Sequence, residues 1–104
     1  MDTISNVKNP TTKAGDGMLH ILLCDDDAIF TETLKRLIEA QPEFNRRYMQ
    51  IECVHDPHAL KKAAVQKADM IFLDIDMGDV NGIALARQIR TIRKDAVLIF
   101  VTNY

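Results

Sequence analysis

The sequence predicts an α/β fold in which a parallel sheet carries helices on both faces. Four short apolar segments alternate with three segments whose apolar residues recur at helical spacing, giving the order βαβαβαβ. The strands are apolar at nearly every position, as in residues 98–101, which is typical of strands buried on both faces. Two strands end in acids, at Asp25 and at Asp74. Acids are expected there, because ligands bind at the carboxyl edge of an open parallel sheet.

Size and composition fit one small globular domain. The chain has 104 residues, of which 47% are hydrophobic and 27% charged, and its net charge of −2 gives no basic footprint for nucleic acid. The apolar runs are far shorter than the ~20 residues of a membrane span, and no signal peptide is apparent. We therefore expect a cytoplasmic protein with no membrane partner.

The first half of the chain predicts two strands and a helix. Residues 1–17 are polar and are interpreted as a flexible leader to a domain over 18–104. A strand is predicted over 19–24, and Asp27 is expected to cap a helix that ends near residue 40. A looser alternation predicts the second strand over 48–54. The apolar residues of this helix fall at helical spacing; they are Phe30, Leu34, Leu37 and Ile38.

The second half predicts two more helices and two more strands. Asp56 followed by Pro57 is a strong start signal for a helix over 57–67. A strand over 69–74 leads into a loop, and Asn81 is expected to cap a helix over 82–93. The last strand is predicted over 96–102. The inward residues of the last helix are predicted to be Leu85, Ala86, Ile89 and Ile92.

The acids at the strand ends predict a divalent metal site. Asp25, Asp26 and Asp74 follow different strands and are expected at one sheet edge, where they repel each other unless a cation neutralises them. Thr102 closes the last apolar strand at the same edge. Taken alone, Thr102 is equally well interpreted as a β-branched strand end.

Four segments together resemble the receiver domain of two-component response regulators. They are Leu23–Asp27, Ile71–Met77, Asn81–Gly82 and Phe100–Thr102, and the resemblance runs from about Leu19 to Tyr104. Within the family, residues 73–77 and 100–102 look most like the receivers of LytTR-type transcriptional regulators. The resemblance implies a flavodoxin-like sheet of strand order 2-1-3-4.

The resemblance also implies a role for each site residue. Asp74 would be the phosphoacceptor for a sensor histidine kinase, Asp25 and Asp26 would hold Mg²⁺, and the backbone carbonyl of Asp76 would complete the protein ligands. Thr102 would contact the phosphoryl group. Phosphoryl transfer needs an in-line nucleophile and a cation that neutralises the phosphoryl oxygens, which agrees with this set. The domain would accept phosphoryl groups without being an enzyme.

The sequence departs from the family at two places. Gly78 stands in the loop where the family usually has Pro, and Gly78 can supply the turn. The family continues through a helix, a strand opening with Lys, and another helix, whereas this sequence ends at Tyr104. We therefore expect a domain truncated after the fourth strand, slow phosphorylation without that Lys, and self-association through the uncovered strand. An output domain would follow the receiver.

Two other functions are open at this stage. A pseudo-receiver would use the same fold only for interaction or dimerisation, and indifference to Mg²⁺ would favour it. A haloacid-dehalogenase-type phosphatase would use Asp74 and Asp76 as its Asp-x-Asp motif, but would leave Asp25 and Asp26 unexplained.

Other residues carrying reactive or charged groups receive structural interpretations. Cys24 and Cys53 fall in predicted strands and are read as buried thiols, without a disulfide. The three histidines match no zinc-binding spacing. The basic residues at helical spacing are interpreted as a solvated helix face; they are Arg87, Arg90, Arg93 and Lys94.

Overall fold

The computed structural model describes residues 17–102. All of the predicted leader except Gly17 lies outside the described residues, as do Asn103 and Tyr104. The first strand begins two residues after Gly17.

A four-stranded parallel sheet forms the centre of the fold. Its strands are β1 (Leu19–Cys24), β2 (Met49–Val54), β3 (Met70–Asp74) and β4 (Val97–Val101). Their order is β2-β1-β3-β4, and every pairing is parallel. The predicted sheet and its strand order are confirmed, and β1 and β3 lie side by side at its centre.

Three helices connect the strands. They are α1 (Ala28–Glu39), α2 (Lys62–Lys67) and α3 (Gly82–Ile92). The two predicted caps are confirmed: the Asp27 side chain accepts a hydrogen bond from the Phe30 N–H, and Asn81 accepts from the N–H groups of Ile83 and Ala84. These caps fix where α1 and α3 begin.

The helices cover both faces of the sheet. Leu22 and Ile71 face Val65 of α2 and Ile89 of α3 in the main core cluster. Their neighbours along the strands point to the opposite face, because side chains alternate in a strand. There Leu23 and Phe72 line a crevice with residues of α1. Leu37 shares the helical spacing of the other apolar residues of α1 but is 57% exposed, whereas the predicted inward positions of α3 are confirmed.

The predicted helix over 57–67 is wrong as a single element. A 3₁₀ turn over Pro57–Ala59 is followed by extended backbone at Leu60 and Lys61, and α2 then begins at Lys62. Leu60 and Val65 both pack on the core. In a continuous helix, residues five apart point about 140° apart, so the break lets both of them face inward.

Arg93 is not on a solvated face, contrary to the interpretation of the basic residues. Arg93 is 6% exposed, and its guanidinium lies 2.9 Å from Asp69 Oδ1 and 2.8 Å from Asp95 Oδ1. It also donates to the carbonyls of Gln66 and Ala68. This ion pair ties the C-terminal end of α3 to the residue that precedes β3.

The outer strand β4 carries exposed apolar side chains. Val97 is 39% exposed and Phe100 is 45% exposed, and β4 is an edge of the described sheet. Apolar edge strands are where chains associate. Among residues 17–102 no helix has both the length and the apolar character needed to cross a bilayer.

Candidate functional site

Three carboxylates meet at the carboxyl edge of the two central strands. Asp25 and Asp26 follow β1, and Asp74 is the last residue of β3. One oxygen from each of the three side chains lies within 4.8 Å of the others. Residues separated by about fifty positions in the sequence therefore form one cluster.

The backbone holds these side chains in place. The N–H of Asp25 donates to the Val54 carbonyl, which extends the β1–β2 ladder beyond the last strand residue. Asp25 Oδ1 accepts from the N–H of Asp27 at 2.9 Å, and Asp74 Oδ1 accepts from the N–H of Asp76 at 3.3 Å. The turn that starts α1 and the turn after β3 thus each orient one carboxylate.

The cluster carries unbalanced negative charge. Asp25 is 4% exposed and Asp74 is 6% exposed, while Asp26 faces solvent. The pKa of Asp25 is raised to about 6: burial is the largest cause, the hydrogen bond from the Asp27 N–H opposes it, and interactions with Asp74 and Asp26 add to the rise. Across residues 17–102, no Lys, Arg or His forms an ion pair with the three acids.

The residues present fit Mg²⁺. Carboxylate oxygens are the ligands that Mg²⁺ prefers, and two or three of them suffice because the ion keeps several waters. Two of the acids are buried without a positive partner in the described chain, which is costly unless a cation neutralises them. In contrast, the buried Asp69 at the opposite edge has Arg93 as its partner.

Asp76 and Thr102 lie beside the cluster. Asp76 is exposed and follows Asp74 by two residues, so its backbone is within the same turn. Thr102 follows Val101, which is the register partner of Asp74 across β3 and β4. Thr102 is exposed, and within the described chain its hydroxyl makes no hydrogen bond to the acids. The roles of both residues stay predictions.

The loop after β3 is a short hairpin. Asp76–Met77 pairs antiparallel with Val80–Asn81. Gly78 has φ +68°, a left-handed conformation that Gly adopts readily and that Pro, which the family usually has in this loop, could not adopt. Asp79 points away into solvent, with its carboxylate 3.2 Å from His58 Nε2. The Asp79 carboxylate is therefore within hydrogen-bond distance of His58 and is not part of the acid cluster.

Gly82 is a site residue whose physical role the sequence did not reveal. A Cβ on Gly82 would collide with the Asp74 carbonyl oxygen and would lie 2.8 Å from Ile75 Cα. The Gly82 N–H also donates to the Ile75 carbonyl at 2.7 Å. The start of α3 thus packs directly on the backbone of Asp74, which only Gly permits.

Cys24 is not a nucleophile at this site, in agreement with its interpretation as a buried thiol. It is 1% exposed, and burial raises its pKa to about 12, with the neighbouring aspartates adding to the rise. A thiol in this state is protonated at neutral pH and unreactive.

The sequence profile of the response regulator receiver domain matches residues 21–104. The chain belongs to the response regulator receiver domain family. The matched range contains every site residue named above, including Asp25 and Asp26. The haloacid-dehalogenase interpretation, which leaves those two acids unexplained, is set aside.

Several curated relatives of this receiver domain are sensory transduction proteins. It is 32% identical to LytT of Bacillus anthracis over 87 residues, which cover 84% of this chain and 34% of LytT. It is also 32% identical to LytR of Streptococcus agalactiae, covering 83% of this chain and 35% of LytR. The predicted similarity to LytTR-type regulators is confirmed. The chain spans about a third of the length of these curated relatives.

A solved structure confirms the fold. The response regulator TrrA of Thermotoga maritima, in complex with Mg²⁺-BeF, superposes with a TM-score of 0.66 at 32% identity. The superposition covers 84% of this chain and 71% of that chain. The parallel sheet with helices on both faces is therefore the receiver fold.

The acid cluster should make the metal-free receiver domain less stable above pH 6. The pKa of Asp25 is 3.8 in the unfolded chain and about 6 in the folded domain. The protonated side chain therefore contributes its full stability below pH 3.8, and this contribution is lost as the pH rises through 6. In EDTA at about pH 7.5, Asp25→Asn should therefore raise the unfolding free energy by roughly 1–3 kcal/mol. The gain should shrink near pH 4.5, as thermal unfolding would measure. A gain that is independent of pH would contradict this account.

Proposed function

We propose that this receiver domain accepts a phosphoryl group on Asp74 in two-component signalling. The donor is the phosphohistidine of a sensor histidine kinase or a small phosphodonor. The observation that carries the proposal is the convergence of Asp74 with Asp25 and Asp26, whose oxygens lie within 4.8 Å of one another. Membership of the receiver domain family supports it.

The proposed chemistry uses the Asp74 carboxylate as nucleophile. A carboxylate oxygen attacks phosphorus, the bond from phosphorus to the histidine nitrogen breaks, and its electron pair stays on the imidazole. The Asp76 N–H, which already donates to Asp74 Oδ1, orients the carboxylate before attack. The acyl phosphate that forms is labile, which suits a reversible signal.

Mg²⁺ is the proposed cofactor, held by Asp25, Asp26 and Asp74 with the backbone carbonyl of Asp76. When bound it neutralises charge on the phosphoryl oxygens and keeps Asp74 ionised beside the other acids. The buried, unpaired state of two of these acids supports this assignment. The TrrA relative was solved with Mg²⁺-BeF, which also supports it.

Thr102 is proposed to hydrogen-bond the phosphoryl group. Its place one residue beyond the register partner of Asp74 supports this role, because the ends of neighbouring strands face the same ligand. Its hydroxyl is exposed and makes no hydrogen bond to the acids among residues 17–102, so it is available to a phosphoryl oxygen.

Labelling with acetyl phosphate tests the proposal. Intact-mass measurement should find one added phosphoryl group that requires Mg²⁺ and is lost in Asp74→Asn. The control variant Asp79→Asn changes a nearby exposed carboxylate that pairs with His58 instead of the acid cluster, and should label like the unchanged chain.

The main rival function is a pseudo-receiver that only mediates interaction. Mg²⁺ titration separates the two, because a receiver that binds no Mg²⁺ and accepts no phosphoryl group would be an interaction module. Labelling that persists in Asp74→Asn would also overturn the assignment of the acceptor.

The partners follow from the same proposal. They are a sensor histidine kinase and an output domain, while the receiver itself acts as an acceptor and contacts no nucleic acid. A cytoplasmic location is proposed because Cys24 and Cys53 are both free thiols, as in a reducing compartment. Self-association through the exposed apolar residues of β4 stays a prediction, which sedimentation velocity would measure.

A further inference from the structure

A second cluster of metal-ligating side chains lies one strand away from the acid cluster. Glu32 comes from α1, Cys53 from β2, and His55 directly follows β2. One ligand atom from each of the three lies within 4.8 Å of the others. Among residues 17–102, none of these side chains makes a hydrogen bond or an ion pair.

The local fold explains why the three residues meet. Cys53 is the register partner of Leu23, which lines the crevice under α1, so Cys53 is on the sheet face that α1 covers. His55 lies two residues further on, in the bend after β2, and one of its ring nitrogens is within 4.8 Å of a ligand atom of Cys53 and of Glu32. The N–H of Asp25 donates to the Val54 carbonyl and fixes the backbone between them. The side chain of Glu32 approaches Cys53 and His55 from α1, which covers this face of the sheet.

We propose that Glu32, Cys53 and His55 form a binding site for a borderline-soft divalent cation, with Zn²⁺ as the expected occupant. Thiolate and imidazole ligands select zinc, whereas the all-oxygen acid cluster selects Mg²⁺. Three protein ligands leave one position of a tetrahedron for water.

The observed spacing is close to what zinc requires. Zinc bonds of about 2.3 Å to sulfur and about 2.0–2.1 Å to nitrogen place neighbouring ligand atoms roughly 3.3–3.6 Å apart. The ligand atoms here lie within 4.8 Å of one another, so they need to approach by at most about 1.5 Å to reach zinc spacing, and the exposed His55 ring has room to turn. Cys53 and Glu32 are half-buried, which limits competition from bulk water.

The electrostatic environment also favours a cation. Burial raises the pKa of Cys53, with Glu32, Glu39 and Glu52 adding to the rise and Lys35 opposing it. The same acids that disfavour a bare thiolate attract a divalent ion, and ion binding then displaces the thiol proton. Zinc would thereby tie α1 to the end of the edge strand β2.

Co²⁺ titration of the full chain under reducing conditions tests the site. The unchanged chain should develop a thiolate-to-cobalt charge-transfer band that an equivalent of Zn²⁺ abolishes, and Cys53→Ser should lack the band. Glu32→Gln and His55→Ala should weaken Co²⁺ binding by at least about tenfold, since even residues outside the ligand shell cost about 10–100-fold in metal affinity.

Matched controls keep the test decisive. His58→Ala removes an exposed imidazole that pairs with Asp79, and Cys24→Ala removes the other thiol; both should retain the band. Asp74→Asn should retain it too, which separates this site from the proposed phosphoacceptor. Far-ultraviolet circular dichroism verifies that each variant folds. A missing band in the unchanged chain, or a band that survives Cys53→Ser, would overturn the proposal.

Discussion

Replacing Gly82 with alanine should destabilise the domain by more than about 3 kcal/mol, beyond the roughly 1–3 kcal/mol usual for overpacking. The added Cβ would collide with the Asp74 carbonyl oxygen and lie 2.8 Å from Ile75 Cα. The atoms that the added Cβ would meet belong to the backbone of the site, so they cannot move aside by changing a side-chain rotamer. Urea unfolding measures the effect.

Helix propensity alone predicts the opposite result for this substitution. Gly82 is the first residue of α3, where alanine would ordinarily stabilise a helix by roughly 0.5–1 kcal/mol. The sign of the change therefore distinguishes the collision from propensity. Gly78→Ala is the matched control: a Cβ there meets no atom within 4 Å, so only the left-handed backbone costs about 1–2 kcal/mol. Equal losses in the two variants would contradict the role given to Gly82.

Breaking the buried ion pair of Asp69 and Arg93 is the second change with a large expected effect. Asp69→Asn should lower the unfolding free energy by up to about 5 kcal/mol, because it leaves the buried Arg93 guanidinium with only the half-exposed Asp95 as its charged partner. Asp69 is 1% exposed and accepts hydrogen bonds from Arg93 at 2.9 Å and from the His20 N–H at 2.9 Å. Burial alone would lower the pKa of Arg93, but hydrogen bonds to Asp95 and Asp69 outweigh it and raise that pKa.

A double-mutant cycle isolates the interaction of Asp69 with Arg93. Arg93→Met should be destabilising by a similar amount, and the double variant should lose much less than the sum of the single losses. Arg87→Met, on the exposed side of α3, is the control and should change stability by at most about 0.5 kcal/mol. Additive losses measured by urea unfolding would show that the pair is not coupled.

Most of the fold could be predicted because its signals are local. Asp27 and Asn81 are capping residues directly before the helices they start, and the strands are short apolar runs that end in acids. The convergence of Asp25 and Asp74 could also be predicted, because parallel strand order brings strand ends to one edge.

What could not be predicted depends on contacts between distant residues. The helical spacing of Arg93 with Arg90 is the same whether its face is solvated or buried, and only Asp69, 24 residues earlier, decides which. The break before α2 also depends on tertiary contacts, because it is the packing of both Leu60 and Val65 on the core that favours two short elements over one continuous helix. The proposed zinc site could not be predicted from the sequence, because Glu32 and Cys53 lie on different elements and no spacing pattern links them.

The two ends of the central strands treat buried charge in opposite ways. At the amino end, Asp69 is paired with Arg93, whereas at the carboxyl end Asp25 and Asp74 form no ion pair with a positive side chain among residues 17–102. The ion pair that stabilises the fold therefore shares no residue with the acid cluster. Descendants of such a domain can exchange the clustered acids, or lose them, while keeping that ion pair and the scaffold. This separation offers evolution a route from a chemical switch to a purely architectural module.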